Sequence, residues 1–337
     1  MIFPPPFLEV AGLAFYTALA LTPLTRKLAR ATGYVDHPEA RKAHTHATPL
    51  LGGIAIAGAL VLSPLLAGAL ARSVIPAPSL GLLAGAFIAL TLGLIDDRWP
   101  LNPFLKLAGQ LAAGVCLVYW GTDVPALRSN PILGAIAVLG IATLLNAVNF
   151  LDNMDGILGS IIPVTAGGFA ALALVHGAPV HLVLAWGLIG ACAGFLVYNA
   201  PPARIFLGDA GSHLLGLTLG ALALQSLEGS FTWPHVAAVL MILAYPIFDS
   251  TFVVWDRISG HRPFYVGSTD HTTHRLRKLF GRWGTIGIVT LATSLNALLG
   301  VWIWGRSDAL PILATIGVSA LAYALFGTAL RHISPTP

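Results

Sequence analysis

Five aspartates lie in three short segments of the chain: Asp96 and Asp97 in GLIDDR, Asp152 and Asp155 in NAVNFLDNMDGI, and Asp209 in IFLGDAGS. Carboxylates brought close together repel unless a cation joins them. All-oxygen ligation favours Mg²⁺ or Mn²⁺ over Zn²⁺. A lone loop aspartate reads as a cap for free helix N–H groups, but three acidic segments with little other acid beside them point to a shared ligand. Each segment precedes an apolar stretch, so three helix N-termini face the same side, and such termini attract phosphate or pyrophosphate. Gly156, Gly208 and Gly211 let the backbone turn tightly and approach a ligand. Asn146, Asn149 and Asp152 recur at spacings of three, which sets neighbours side by side on a helix. The drift of that stripe predicts a helix end near Asp152, followed by a turn at Gly156. Asn146, deeper in its stretch, reads equally as an interhelical hydrogen-bonding group.

Two basic segments supply the other half of such a site. RKAHTHATPLLGG carries Arg41, Lys42, His44 and His46, and GSTDHTTHRLRKLFGRW carries His271, His274, Arg275, Arg277, Lys278 and Arg282. His271, His274 and Arg275 offer donors at i, i+3 and i+4, suited to phosphate or sugar hydroxyls. The same spacing is also compatible with a metal pair or with surface residues. Arg26, Lys27, Arg30, Lys278 and Arg282 read instead as contacts to anionic lipid. Asp249 lies within an apolar stretch near its end, where an ionisable group is either functional or held by a structural hydrogen bond.

Only a membrane bundle can position these residues. Of 337 residues, 56% are hydrophobic and 9% charged, far below the roughly 25% charged of a soluble domain. Eleven apolar stretches, at 7–25, 50–71, 79–95, 104–121, 131–149, 157–176, 181–199, 211–227, 234–255, 284–304 and 308–331, each approach the ~20 residues that span hydrocarbon. With the N-terminus outside, the cytosolic loops and tail hold fifteen Lys and Arg, and the opposite side has only Arg72, Arg128 and Arg306. This asymmetry predicts an all-α integral membrane protein of about eleven transmembrane helices, N-terminus outside and C-terminus cytosolic. No separate soluble domain fits, so residues 1–337 form one transmembrane catalytic domain. Its active site is built from cytosolic loops 26–49, 96–103, 150–156, 200–210 and 256–283. Cys116 and Cys192 sit in apolar stretches and read as core packing.

The ordered series RKAH with PLLGG, IDDR, NAVNFLDNMDG, YNAPPARIFLGDAGS, PIFD and DHTTHRL resembles the polyprenyl-phosphate N-acetylhexosamine-1-phosphate transferases over residues 34–280. The resemblance implies eleven transmembrane helices and a cytosolic, Mg²⁺-dependent site in a bacterial inner membrane. The reaction it implies moves a sugar 1-phosphate from a UDP-sugar to undecaprenyl phosphate, releasing UMP and starting a cell-envelope glycan. It assigns the metal to Asp209, and a metal or lipid-phosphate role to Asp96 and Asp97, with Asp155 beside them as a catalytic candidate. It suggests uridine contacts for Asn149, Asp152, Asn199 and Phe206, the last stacking on uracil. Substrate recognition falls to Lys42, His44, His271, His274 and Arg275. The RKAH…PLLGG stretch is more similar to the branch that uses UDP-N-acetylglucosamine than to the one that uses UDP-N-acetylmuramoyl-pentapeptide. Many members carry His-x-His-His-Arg after the ninth span; here Thr273 replaces the middle His, which opens the choice of sugar. The expected partners are the UDP-sugar, the lipid phosphate, the bilayer and a second copy of the chain, with no nucleic acid.

Metal positioning carries more of this mechanism than base catalysis, because a phosphate monoester with a second pKa of about 6 is already largely ionised. A secondary transporter would place acids near the midplane of several spans, whereas here nearly all lie at one face. An intramembrane aspartyl protease would show a GxGD-like sequence, and FLGD lacks the first Gly.

Overall fold

The computed structural model describes residues 7–37, 47–71, 78–176, 179–262 and 269–333. In chain order it comprises α1 (Phe7–Thr32), β1 (Val35–Asp36), β2 (Thr48–Pro49), α2 (Gly52–Ala71), α3 (Leu80–Arg98), α4 (Pro103–Cys116) with a π-helical extension (Leu117–Gly121), α5 (Pro125–Ser129) and α6 (Pro131–Leu151). There follow α7 (Ile157–His176), α8 (Pro179–Asn199), α9 (Gly208–Ser226), α10 (Trp233–Ile242), α11 (Ala244–Ser259), α12 (Thr272–Trp304) and α13 (Ala309–Arg331). Helix starts follow local chemistry: Asn102 and Asn130 accept the N–H groups of Phe104 and Ile132, each with a proline at the first helical position.

Among the described residues, nine helices are long and apolar enough to cross a membrane, ten if α10 and α11, bent by 72° at their junction, count as one. The chain is thus an all-α, multi-pass membrane protein. The expected stretch 211–227 forms α9, which is not among the ten. Its first turns carry Asp209, Ser212 and His213, and protein rather than lipid surrounds it: sixteen of its residues are buried, against α3, α6, α2, α7 and α8. Backbone meets backbone at its start, since a Cβ on Gly93 of α3 or Gly53 of α2 would overlap the main chain at 209–211. Packing of this kind substitutes for the hydrophobic drive that lipid cannot supply. Leucines such as Leu65, Leu139, Leu291 and Leu321 stay exposed on the perimeter, as lipid-facing residues do.

Two expected elements differ. The stretch 234–255 breaks at Leu243, because Pro246 has no N–H to offer the carbonyl of Ile242 and its ring crowds that carbonyl. The segment 256–283, expected as a loop, is helical from Thr272 onward, and α12 kinks at Gly281, whose φ of 66° suits glycine. At the same end of the bundle β1 and β2 pair antiparallel, Val35 with Pro49 and Asp36 with Thr48. The chain after β2 is strapped to the segment before α9: Phe206 N–H donates to the Pro49 carbonyl, and Gly52 and Gly53 N–H donate to the carbonyls of Phe206 and Leu207.

Candidate active site

The end of α3, the starts of α4 and α9 and the end of α6 meet at one point. Gly208, at φ 74°, turns the chain into α9 and leaves Asp209 on its first turn. The adjacent aspartates of α3 then take different directions. Asp97 caps α9 from outside: Oδ1 accepts the Asp209 N–H at 2.8 Å and Oδ2 the Ala210 N–H at 3.2 Å. Asp96 Oδ1 accepts the Leu101 N–H at 2.6 Å, and its Oδ2 accepts from Lys106 Nζ at 2.7 Å. The same ammonium donates to Asp209 Oδ2 at 2.5 Å and to Asn149 Oδ1 at 3.4 Å. Asn149 Nδ2 in turn donates to Asp209 Oδ1 at 2.8 Å and Ser212 Oγ at 2.9 Å. Four expected residues, Asp96, Asp97, Asn149 and Asp209, therefore come together as one constellation.

Among the described residues no three His, Cys, Asp or Glu side chains are gathered as a metal cluster. Asp97 gives both oxygens to backbone N–H groups, so the expected three-aspartate set is replaced by two carboxylates and an amide oxygen around one cationic point. Hard oxygen donors of this kind suit Mg²⁺ better than a thiolate- or imidazole-binding metal.

Asp152 ends α6 beside this group, its backbone N–H donating to the Asn149 carbonyl at 3.2 Å. Removal from water, with Asp209, Asp97 and Asp155 nearby, pushes its carboxyl well above the usual range. Asp155, expected as catalytic, is instead tied to the Ala203 N–H at 3.1 Å, with Arg282 at 3.7 Å. Asn199, an expected uridine contact, braces two turns: its Oδ1 accepts the Gly156 N–H and its Nδ2 donates to the Ile205 carbonyl, each at 3.0 Å. Both of its polar groups are committed within the protein. Phe206 stands half-buried between the strap and Asp209.

The histidine segment is held from below. His271 Nδ1 donates to Asp249 Oδ2 at 2.7 Å, and Asp249 Oδ1 accepts the Thr272 N–H and hydroxyl. Asp249 is thus the structural cap of α12 as well as the orienting partner of His271. The His274 ring lies 6.3 Å from that of His271. Thr273 donates to Asn153 Oδ1 at 2.6 Å and is fully buried. Arg275, expected to hold phosphate or sugar, faces away. Its guanidinium donates to the carbonyls of Leu330, Arg331 and Ile333 at the end of α13, and to Asp256 at 2.7 Å. The physical reason is helical: i+4 from His271 it lies against α13, whose last carbonyls need donors. Lys42 and His44 lie outside the described residues.

Sequence reasoning missed Lys106, which reads as one more positive charge at a helix start, and Ser212 and His213, which follow Asp209 in an apolar run. Spacing was the available signal, since His213 stands four residues after Asp209 and Gln110 four after Lys106.

A family model described as glycosyl transferase family 4 matches residues 79–227, the stretch that carries Asp96, Lys106, Asn149 and Asp209. The chain is similar to the probable undecaprenyl-phosphate N-acetylglucosaminyl 1-phosphate transferase of Bacillus subtilis (strain 168), 34% identical over 273 residues, covering 78% of this chain and 75% of the relative. It is similar to the decaprenyl-phosphate N-acetylglucosaminephosphotransferase of Mycobacterium tuberculosis (strain H37Rv), 31% identical over 312 residues, covering 81% and 76%. The undecaprenyl-phosphate alpha-N-acetylglucosaminyl 1-phosphate transferase of Escherichia coli (strain K12) is 25% identical over 340 residues, covering 96% and 90%. Shared sequence of this extent, centred on the carboxylate constellation, means that the chain belongs to the polyprenyl-phosphate N-acetylhexosamine-1-phosphate transferases, enzymes embedded in the membrane.

Proposed function

We propose that the chain transfers N-acetylglucosamine 1-phosphate from its UDP-sugar to undecaprenyl phosphate, releasing UMP and leaving a lipid-diphosphate-sugar. The observation that carries this reading is the convergence of Asp96, Asp209 and Asn149 on one cationic point beside the N-terminus of α9. Two anions, a lipid phosphate and a pyrophosphate, must come to bonding distance there, and their repulsion is the main barrier the site has to offset. Asp209 and Asp96 would hold Mg²⁺, with Asn149 turning the Asp209 carboxylate toward it. Bound there, the ion supplies Lewis-acid polarisation of the pyrophosphate and a template for the two substrates. Asp97 fixes the start of α9, so its contribution is placement of Asp209. Lys106 adds a positive charge that does not depend on the ion.

Asp152 and Phe206 are the uridine contacts in this reading, Asp152 offering its carboxyl group to the base and Phe206 its face. Asn199 braces the loops that carry them. His271, oriented by Asp249, offers Nε2 to the sugar or its phosphate, with His274 next to it and Lys42 and His44 completing the donor side. We place the site on the cytosolic side of a bacterial inner membrane. There α9 and the bent α10–α11 pair each count as one of eleven spans, and the 15-to-3 division of Lys and Arg puts the N-terminus outside. The two relatives named above for N-acetylglucosaminyl transfer to an undecaprenyl carrier support that donor over UDP-N-acetylmuramoyl-pentapeptide.

The test is UMP release by purified protein with undecaprenyl phosphate, Mg²⁺ and a panel of UDP-sugars. UDP-N-acetylglucosamine should be turned over and the muramoyl-pentapeptide donor refused. Efficient use of the pentapeptide donor would move the chain to the other branch, and no UMP from any donor would refute the reaction.

A further inference from the structure

One helical turn below the constellation lies a second polar layer drawn from three of the same four helices. Gln110 is four residues past Lys106 on α4, Asn146 three before Asn149 on α6, and His213 four past Asp209 on α9. Gln110 and His213 are wholly buried. The three side chains bond only inward. His213 Nδ1 lies 2.6 Å from the Asp209 carbonyl oxygen, which can only accept, so Nδ1 carries the proton. In the neutral ring Nε2 is then an acceptor, and it takes an N–H from Gln110 Nε2 at 3.0 Å. Gln110 and Asn146 exchange a reciprocal pair: Gln110 Nε2 to Asn146 Oδ1 at 3.0 Å, and Asn146 Nδ2 to Gln110 Oε1 at 2.6 Å. The remaining Asn146 N–H goes to the Ala142 carbonyl. Each N–H and each acceptor of the three side chains thus has a partner, and Gln110 joins α4 to both α6 and α9.

In an apolar interior three leucines would fill such a layer without any polar group to satisfy, so stability alone does not call for it. A fully satisfied buried network specifies geometry instead, because rotating or sliding one helix by roughly an ångström leaves a donor or acceptor bare. We propose that Gln110, Asn146 and His213 are positioning residues for the transfer reaction. They fix the rotation and height of α4, α6 and α9, so that Lys106, Asn149 and Asp209 meet one turn above, and thereby set how well the carboxylates bind a divalent cation. His213 also ties the layer to the main chain of Asp209 itself. The inference rests on the cation and transfer roles proposed above for that upper layer.

The experiment compares wild type with the apolar triple variant Gln110→Leu/Asn146→Leu/His213→Leu and with two single variants, Gln110→Met and His213→Gln. Each is scored by thermal melting in detergent, by Mn²⁺ binding measured from the free-ion EPR signal, and by kcat and KM for UMP release. The triple variant should melt no lower than wild type, yet bind Mn²⁺ and turn over about 10- to 100-fold less well, the usual cost of losing groups that orient metal ligands, with KM for the UDP-sugar little changed. His213→Gln, which can still donate to the Asp209 carbonyl and accept from Gln110, should recover most of both. If the triple variant does not fold, Gln110→Met, which leaves Asn146 and His213 without their partner and should melt lower, should show the same loss of Mn²⁺ affinity and kcat in its folded fraction. Wild-type Mn²⁺ affinity and kcat in a folded triple variant, or in Gln110→Met, would overturn the positioning role. Failure of wild type itself to bind Mn²⁺ or release UMP would instead sink the proposed function.

Discussion

Replacing Lys106 by Met removes an ammonium but keeps most of the side chain's length, and the structure sets the size of the consequence. Asp96 Oδ2 and Asp209 Oδ2 lie 2.7 and 2.5 Å from the same Nζ. They are therefore no more than about 5 Å apart, where two unit negative charges at an effective dielectric of about 20 repel by roughly 3 kcal/mol. Partial protonation of one carboxyl would absorb some of this and a shorter separation would add to it, so roughly 3 kcal/mol is an order of magnitude. In wild type the ammonium offsets the repulsion, and a divalent cation has to share the carboxylates with it. Lys106→Met should therefore melt lower in chelator and regain more on adding Mg²⁺. Its half-saturating Mg²⁺ should fall by up to about two decades, the equivalent of that energy. Turnover should still drop, since a positive charge facing two anionic substrates is gone. The assay is thermal melting of detergent-purified protein across an Mg²⁺ titration, alongside UMP release. Equal half-saturation in variant and wild type would refute the reasoning, because it would mean that lysine and cation do not address the same oxygens.

Asp209→Asn should reduce UMP release by at least about 10²-fold while leaving melting in place, since it removes an anionic ligand but keeps the shape; near-normal turnover at limiting Mg²⁺ would take the metal away from this residue. Phe206→Ala should weaken UMP and UDP-sugar binding alike by about 1–3 kcal/mol, the range for a base stacked on an aromatic face, as read by calorimetry. Arg275→Met should cost roughly 3 kcal/mol of stability by stripping the α13 carbonyls and one partner of Asp256. Its folded fraction should keep the wild-type KM for the UDP-sugar, and a raised KM would return the guanidinium to the substrate.

The meeting of GLIDDR, NAVNFLDNMDG and FLGDAGS was legible because each marks the same end of its apolar stretch, and topology alone then brings the three together. The division of labour between Asp96 and Asp97 was not. Neighbours on a helix point about 100° apart, and which of them meets α9 depends on how α3 is rotated in the bundle. Lys106 was hidden by ambiguity of another kind, since a cation at a helix start satisfies the topological rule without needing any partner. The partners that hold Arg275, the carbonyls at 330–333, are distant in sequence and invisible to local spacing. Thr273 illustrates the same limit: its substitution for a family histidine suggested a sugar pocket, and the hydroxyl is used to hold Asn153. The break at Leu243 did carry a local signal, Pro246, which a continuous apolar run outweighed.

The pairing of Val35 with Pro49 and Asp36 with Thr48, followed by the strap onto Phe206 and Leu207, pins both ends of the segment 37–47 to the framework. A segment anchored in this way can be exchanged as a cassette. Its entry and exit are set by main-chain bonds that do not depend on side-chain identity. Grafting residues 37–47 from a relative with another donor between the two anchors would test the proposed donor roles of Lys42 and His44, read as the ratio of UMP release between the two donors.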